Sequence, residues 1–230
     1  MTISVIIPTL NEEAVLAKTL ARTSVLQADE LIVVDGGSTD HTVPIAQAFC
    51  ANIQNAQFIA APRGRARQMN EGAKASRGDV LLFLHADTQL PEHARRLIDS
   101  AFSDLTVVAG RFDVHFDSSS PWSRIISAFM NRRSRLTGMS TGDQALFVRR
   151  QVFEQLGGFA DIPLMEDIDF SRRLKRAGGT AALRDTVTTS FRRWETQGPL
   201  RTIFLMWALR FLYWIGVSPH RLQHFYASIR

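Results

Sequence analysis

The 230-residue sequence predicts an α/β fold: a mostly parallel central sheet flanked by helices, followed by an apolar helical segment towards the C-terminus. Three observations carry that expectation. Short apolar runs at Val5–Ile7, Leu31–Val34 and Val80–Leu84 alternate with stretches of helical character, and this β-α-β-α rhythm implies parallel strands joined by crossover helices. Each run stops abruptly at polar residues. The run Val80-Leu-Leu-Phe-Leu84 is apolar at five successive positions, as suits a strand buried on both faces.

Composition narrows the class. This length suits one large α/β domain or a core domain with an appended segment, and 45% hydrophobic residues suffice for a sizeable core. Cys50 stands alone, which excludes an internal disulfide framework and a multi-cysteine zinc site. Met1-Thr2-Ile3-Ser4 runs straight into a strand pattern without a charged and then apolar leader, so a cytoplasmic protein is expected. Charge is unevenly divided: residues 1–120 carry 10 basic and 14 acidic side chains, whereas residues 121–230 carry 17 and 8. That basic second half, with Arg at 24 of all 27 basic positions, suits a phosphorylated substrate, an anionic lipid or nucleic acid. Nucleic acid is disfavoured, because no basic strand is interleaved with aromatics.

In chain order, Ser4–Thr9 reads as a first strand ended by Pro8, and Asn11 is placed to cap a helix over about 12–24. Glu30–Val34 is a second strand. It stops at Asp35-Gly36-Gly37-Ser38-Thr39-Asp40, a tight turn into a helix over about 42–51. Gly36 and Gly37 would let the backbone approach a ligand closely, and Asp35 at a strand end could read a base or ribose. As a plain turn with an N-cap, the same residues need no ligand. The pattern is neither a dinucleotide G-x-G-x-x-G nor a P-loop. Phe58–Ala60 is a short strand, after which Pro62–Asn70 leads into a helix ending near Ser76. If that helix starts early, Arg63 and Arg67 share a face and suit a diphosphate; a solvated basic loop is the alternative.

The central run ends in His85-Ala86-Asp87-Thr88. Ligands of open α/β sheets bind at the carboxyl ends of strands, so Asp87 is a candidate to hold a divalent cation against phosphates. Its other reading is to cap a helix expected from Pro91 to about Phe102. A strand over Val107–Phe116, a loop at Ser118–Pro121 and a helix over about 122–133 come next. Ala145–Val148 reads as a strand, and Val152–Leu156 as a short helix closed by Gly157-Gly158. Pro163-Leu164-Met165-Glu166-Asp167-Ile168-Asp169 then opens a helix reaching Arg176. Helix starts favour carboxylates through the dipole. Yet the apolar lead-in would partly desolvate Glu166 and Asp167, which tunes a carboxylate towards general-base duty. Arg192-Arg193-Trp194 could clamp a phosphate and stack a ring, or form a basic surface beside a core indole. Ile203–Val217 is apolar but short for a membrane span and interrupted by Arg210; a buried helix, a dimer interface or an in-plane membrane helix fits it.

Together these stretches resemble the family-2 glycosyltransferases of GT-A fold, from Val5 to about Gly198. The opening Val5-Ile-Ile-Pro8-Thr9-Leu-Asn11-Glu12-Glu13 is similar to the family's first strand and nucleotide-binding loop. By the same resemblance Asp35, with Gly36, inherits the contact to the base, with Asp40 second. Arg63-Gly64, Arg67 and Asn70 resemble the segment that approaches base and diphosphate. Glu166-Asp167 looks like the family's Glu-Asp pair, whose Asp is the catalytic base. Arg192-Arg193-Trp194 is similar to the Gln-x-x-Arg-Trp type of motif without its glutamine, and Phe83-Leu-His85-Ala86-Asp87-Thr88 resembles a small bacterial subgroup. The family's metal motif is Asp-x-Asp; here His85 replaces the first carboxylate and Asp87 keeps the position that touches the metal.

The resemblance implies a GT-A domain over 1–198, with a nucleotide-binding half (1–117), an acceptor-side half (118–198) and a C-terminal segment (199–230). It implies metal-dependent, inverting transfer of a sugar from a UDP- or GDP-linked donor to an acceptor hydroxyl. Asp167 would act as base beside Glu166. Asp87 would bind Mg²⁺ or Mn²⁺. Pro8, Thr9, Asn11, Glu12, Asp35, Gly36, Arg63, Arg67, His85, Ala86, Arg193 and Trp194 would meet the nucleotide-sugar. Peripheral contact with the inner face of the plasma membrane through 203–217, or a homodimer, is compatible with the apolar segment. The competing expectations are a non-catalytic nucleotide-sugar-binding protein, suggested by His85, and a basic membrane or nucleic-acid scaffold.

Overall fold

The computed structural model describes residues 1–227, apart from Val25 and Gln27. The expected segment 199–230 therefore extends beyond the described residues at 228–230. Strands β1 (Ile3–Thr9), β2 (Glu30–Asp35), β3 (Ala56–Ala60) and β4 (Val80–Phe83) form a parallel block in the order β3-β2-β1-β4. Helices α1 (Leu16–Ser24), α2 (Thr42–Asn52) and α3 (Arg65–Ala75) connect them. The period-2 geometry of strands sends alternate residues to two separate cores. Val5, Leu31 and Leu82 join one face, whereas Ile6, Ile32 and Leu81 join the other. All four residues of β4 are buried, as the unbroken apolar run requires.

The second half extends the same sheet and gives it a mixed character. Strand β7 (Phe147–Arg149) lies antiparallel beside β4, followed by β6 (Val107–Phe116), β8 (Gly179–Thr189) and the two-residue β5 (Thr88–Gln89). Strands β6 and β8 pair in parallel, and β5 pairs antiparallel with β8. This order forces a curl. From Phe83 to Thr88 the chain reaches at most about 18 Å fully extended, whereas four flat interstrand spacings span about 19 Å. Residues 84–87 are not extended, since the Thr88 N–H donates to the His85 carbonyl at 3.1 Å. The β6–β8 half must bend back towards the carboxyl end of β4, which brings residues 85–87 between the two halves of the sheet.

Helices α4 (Ala94–Ala101) and α5 (Pro121–Thr137) pack on one face, while α6 (Arg150–Gln155) and α7 (Glu166–Ala177) join α3 on the other. Short α8 (Arg192–Gln197) leads into α9 (Pro199–Trp214) and α10 (Pro219–Ala227), which share a small cluster around Met165, Leu209 and Leu222. Among the described residues no helix is long and apolar enough to cross a membrane.

Several local expectations are corrected. Asn11 does not cap a helix over 12–24: α1 starts at Leu16, and Asn11 takes a left-handed φ of 56° to accept the Thr39 N–H on its side-chain oxygen at 2.9 Å. Asp87 does not cap the next helix, which begins at Ala94 after β5. Strand β8 carries no long apolar run and was not expected; its Thr-rich, half-buried pattern pairs with β6 along the curl.

Close packing of α3 on β1 depends on Gly72. A Cβ there would lie 2.5 Å from the Ile6 Cγ2 and 3.0 Å from that of Val34. Gly72→Ala is therefore expected to destabilise the fold by about 1–3 kcal/mol by overpacking, although Ala is the better helix former. A urea midpoint that rises instead would contradict that packing.

Candidate active site

Residues from the carboxyl ends of β1 and β4, from α3, and from the second half of the chain surround a cavity of about 780 Å³. Pro8 and Thr9 enter from β1, His85, Ala86 and Asp87 from the loop after β4, and Arg192, Arg193 and Trp194 from α8. Glu12, Arg65, Gln68 and Asp143 complete the polar wall. The opposite wall is apolar, built largely from α5 and α9.

Burial raises the Asp87 carboxyl above its ordinary value, with His85 opposing and Asp143 adding to the effect. Glu12 is raised as well, first by burial and then by the charge of Asp87. Arg192 partly offsets this, its Nη2 lying 3.5 Å from the Glu12 carboxylate. His85 reaches Asp143 through Nδ1 at 3.2 Å and Arg65 through Nε2 at 3.4 Å. Burial disfavours charge on the imidazole, but the bond to Asp143 prevails and its pKa stands above the ordinary value. Asp143 shows the converse: burial pushes it up, and His85, Arg65 and Arg193 bring it below the usual carboxylate range.

Beneath this wall lies the acidic start of α7. Glu166 is only 1% exposed and pairs with the Arg65 Nε. Asp167 lines a small adjoining cleft that shares Arg65, His85 and Thr141 with the main cavity. Its carboxylate accepts the Gly142 N–H at 3.1 Å and its own helix's Ile168 N–H at 2.7 Å. Burial, and then the charge of Glu166, raise the Asp167 pKa, while Arg65 opposes. Glycine at 142 is required by close approach, because a Cβ would lie 2.2 Å from the His85 Nε2.

Other sequence-selected residues lie apart from this cavity. Asp35 is buried, and its carboxylate closes its own loop by accepting the N–H groups of Gly37 and Ser38 at 2.8 and 2.9 Å. Gly36 donates its N–H to the Thr9 carbonyl at 3.0 Å and sits over Gln68, which a Cβ would meet at 2.9 Å. Arg63 precedes α3, so it does not share a helical face with Arg67. Arg67 turns to Asp161 at 2.8 Å and borders a different hollow. The face of α3 that meets the site carries Arg65, two residues earlier. Arg193 and Trp194, by contrast, do line the cavity: Trp194 packs near Phe116 and Phe191, with centroids 6.1 and 6.3 Å away, and Arg193 lies over the Tyr226 ring at 4.9 Å.

Arg65, Gln68 and Asp143 were not anticipated. Gln68 carried a readable signal, being a polar residue among the apolar positions of α3; it donates to the Thr9 and Val34 carbonyls at 2.7 and 2.9 Å. Asp143 lay within a Thr141-x-x-Gln144 capping box, a pattern of helix starts.

This layout is that of the GT-A glycosyltransferases. The family model for glycosyl transferase family 2 matches residues 4–157, and the chain belongs to that family. It is 34% identical over 159 residues to an undecaprenyl-phosphate 4-deoxy-4-formamido-L-arabinose transferase of Pseudomonas paraeruginosa, a match covering 64% of this chain and 46% of that protein. The chain thus spans less than half the length of that relative. Against a PGL/p-HBAD biosynthesis glycosyltransferase of Mycobacterium bovis it is 32% identical, covering 74% of this chain and 68% of the other. Two solved structures share the fold. TarS of S. aureus (residues 1–349), in complex with UDP-GlcNAc, superposes with a TM-score of 0.67 at 18% identity, covering 83% of this chain and 58% of that one. The mannosyltransferase PcManGT of Pyrobaculum calidifontis, in complex with GDP-Man and Mn²⁺, gives 0.64 at 20% identity, covering 99% and 69%.

Proposed function

We propose that this chain is a metal-dependent, inverting glycosyltransferase that moves a sugar from a UDP- or GDP-linked donor to an acceptor hydroxyl. The observation that carries the reading is the convergence of Asp87, on the cavity wall, with Asp167 in the adjoining cleft. The bound nucleotide-sugars of the two structural neighbours support the donor class.

A divalent ion fits the donor set. Asp87 and Glu12 offer hard carboxylate oxygens, the charge of Asp87 raises Glu12, and a cation would relieve that repulsion. Among the described residues no three His, Cys, Asp or Glu side chains form a ligand cluster. Mg²⁺ and Mn²⁺ are commonly held by one or two carboxylates, with substrate phosphates and water completing the shell. Asp87 would be the principal ligand, and the ion would supply charge neutralisation for the departing nucleoside diphosphate. The complex of the Pyrobaculum enzyme with GDP-Man and Mn²⁺ supports the use of a divalent ion.

The chain's own groups account for the rest. Asp167 accepts the proton of the acceptor hydroxyl as its oxygen bonds to the anomeric carbon and the bond to the diphosphate breaks. The proton ends on the Asp167 carboxyl and the electron pair on the leaving diphosphate. Glu166 serves by positioning: it holds Arg65 and raises the basicity of Asp167. Arg65, Arg192 and Arg193 supply positive charge for the diphosphate, taking over what Arg63 and Arg67 were expected to do. The nucleoside lies by Pro8, Thr9 and the loop that Asp35 closes, with residues 1–117 serving the donor and 118–198 the acceptor. A cytoplasmic location at the inner face of the plasma membrane suits this reading.

Isothermal titration with UDP and GDP tests it, with Mn²⁺ and again with chelator. One nucleotide should bind at least 10-fold tighter with Mn²⁺. Equal affinity in both conditions would refute metal dependence, and failure of both nucleotides to bind would refute the donor class.

A further inference from the structure

Two helices of this chain present the same unusual surface to each other. On α5, Ile126, Phe129, Met130 and Arg133 fall at helical spacing on one face, and on α9 so do Ile203, Met206, Trp207 and Arg210. The rings of Phe129 and Trp207 meet at 5.7 Å, so each helix carries an arginine about one turn further along. The apolar members of both faces line the cavity, as does Arg210. Outward along α9, Phe204, Phe211 and Trp214 are 67%, 58% and 73% exposed, which carries the apolar wall onto the surface. Neither helix contains an acidic residue.

The two arginines are the anomaly. Arg133 buries its Nε and Nη2 without a hydrogen-bond partner. Among the described residues no ion pair or hydrogen bond reaches Arg210. Burial, and then the charge of Arg210, push Arg133 down to about 10. Each guanidinium lies within the field of both Asp167 and Asp143. A buried cation with unmade hydrogen bonds is costly to the fold, and an anionic group supplied from outside would satisfy it.

We infer that the acceptor is a phosphate-bearing lipid: its chain lies between α5 and α9, and its phosphate is held by Arg133 and Arg210. The inference rests on the glycosyltransferase reading and adds the acceptor class. An apolar cleft open to the surface takes the chain, and Arg210 on its wall, with Arg133 within reach of its field, takes the charge. Because both guanidinium groups sense Asp167, a headgroup hydroxyl beside that phosphate is brought towards the proposed base.

The test uses the full chain and dihexanoyl phosphatidylglycerol below its micelle concentration. Glycerol 3-phosphate and dihexanoyl phosphatidylcholine serve as controls in isothermal titration. The phosphatidylglycerol is expected to bind at least 10-fold tighter than either control. Arg133→Gln and Arg210→Gln should each remove that advantage, as should Phe129→Ala with Trp207→Ala. Both arginine variants should keep wild-type affinity for UDP or GDP with Mn²⁺. Their Tm should hold or rise, because a buried unpaired charge has been removed. Glycerol 3-phosphate binding as tightly would mean a site for free phosphate, and phosphatidylcholine binding as tightly would mean a groove without an anion subsite. A lowered Tm, or loss of nucleotide rather than lipid binding, would give the arginines a structural or donor role; any of these overturns the inference. Should the wild type bind the lipid but no nucleotide, the donor reading fails and the lipid site stands.

Discussion

Asp167→Asn is expected to cut turnover by about 10²–10⁴-fold, the usual contribution of a positioned general base, while leaving donor affinity within about 2-fold. The amide keeps the size of the carboxylate, and its one oxygen can accept either the Gly142 N–H, now bonded to Oδ2, or the Ile168 N–H, now bonded to Oδ1, but not both. It cannot take the acceptor's proton. The sign of the pKa shift adds a control. Asp167 is raised by burial and by Glu166, so its contribution to stability is present below the ordinary carboxylate pKa and lost as pH rises through the folded value. Asparagine removes that loss, so the stability of the variant relative to the wild type should rise as pH increases above the ordinary carboxylate range. The acid limb of kcat for the wild type should likewise fall above the ordinary carboxylate range. A variant with normal turnover, measured with single-turnover kinetics, would dismiss Asp167 as the base.

Asp87→Asn should produce the opposite split. Metal-dependent donor binding is expected to weaken by at least the ~10–100-fold that losing a supporting partner costs a metal site. Binding in chelator should change little. The cause is electrostatic: Asp87 is held in a partly buried setting where Asp143 adds repulsion and Asp87 in turn raises Glu12, with His85 and Arg192 opposing. Removing one carboxylate relieves that repulsion, so Tm without metal should hold or rise while the gain in Tm on adding Mn²⁺ shrinks. A variant whose affinity in Mn²⁺ matches the wild type would move the cation to Glu12 or Asp143. Differential scanning in the two conditions makes the distinction.

The pattern of apolar runs, read by period and length, determined the parallel block. Residues of β1, β2 and β4 have their neighbours set by local alternation and by helices of ordinary length, so Ile6 and Val5 diverge to opposite cores as a strand must. It also determined that carboxylates stand at strand ends and at the start of α7, because a polar residue ending an apolar run is visible in one dimension.

Tertiary structure alone decided which of those groups meet. Thr88 pairs with Thr189, one hundred and one residues away, and that contact curls β8 back towards residues 85–87. No local pattern encodes it. Arg65 rather than Arg67 faces the site because α3 begins at Arg65 and its rotation is fixed by packing of Ala66, Met69, Gly72 and Ala73 against the sheet. Asp143 reaches His85 through a turn that the buried Gln144 stabilises within its own capping box. Arg133 and Arg210 lie 77 positions apart in sequence, and the approach of α5 to α9, seen in the contact of Phe129 with Trp207, makes them neighbours. Sequence patterns report what each residue prefers locally; which charges share one low-dielectric space is settled by packing between distant elements.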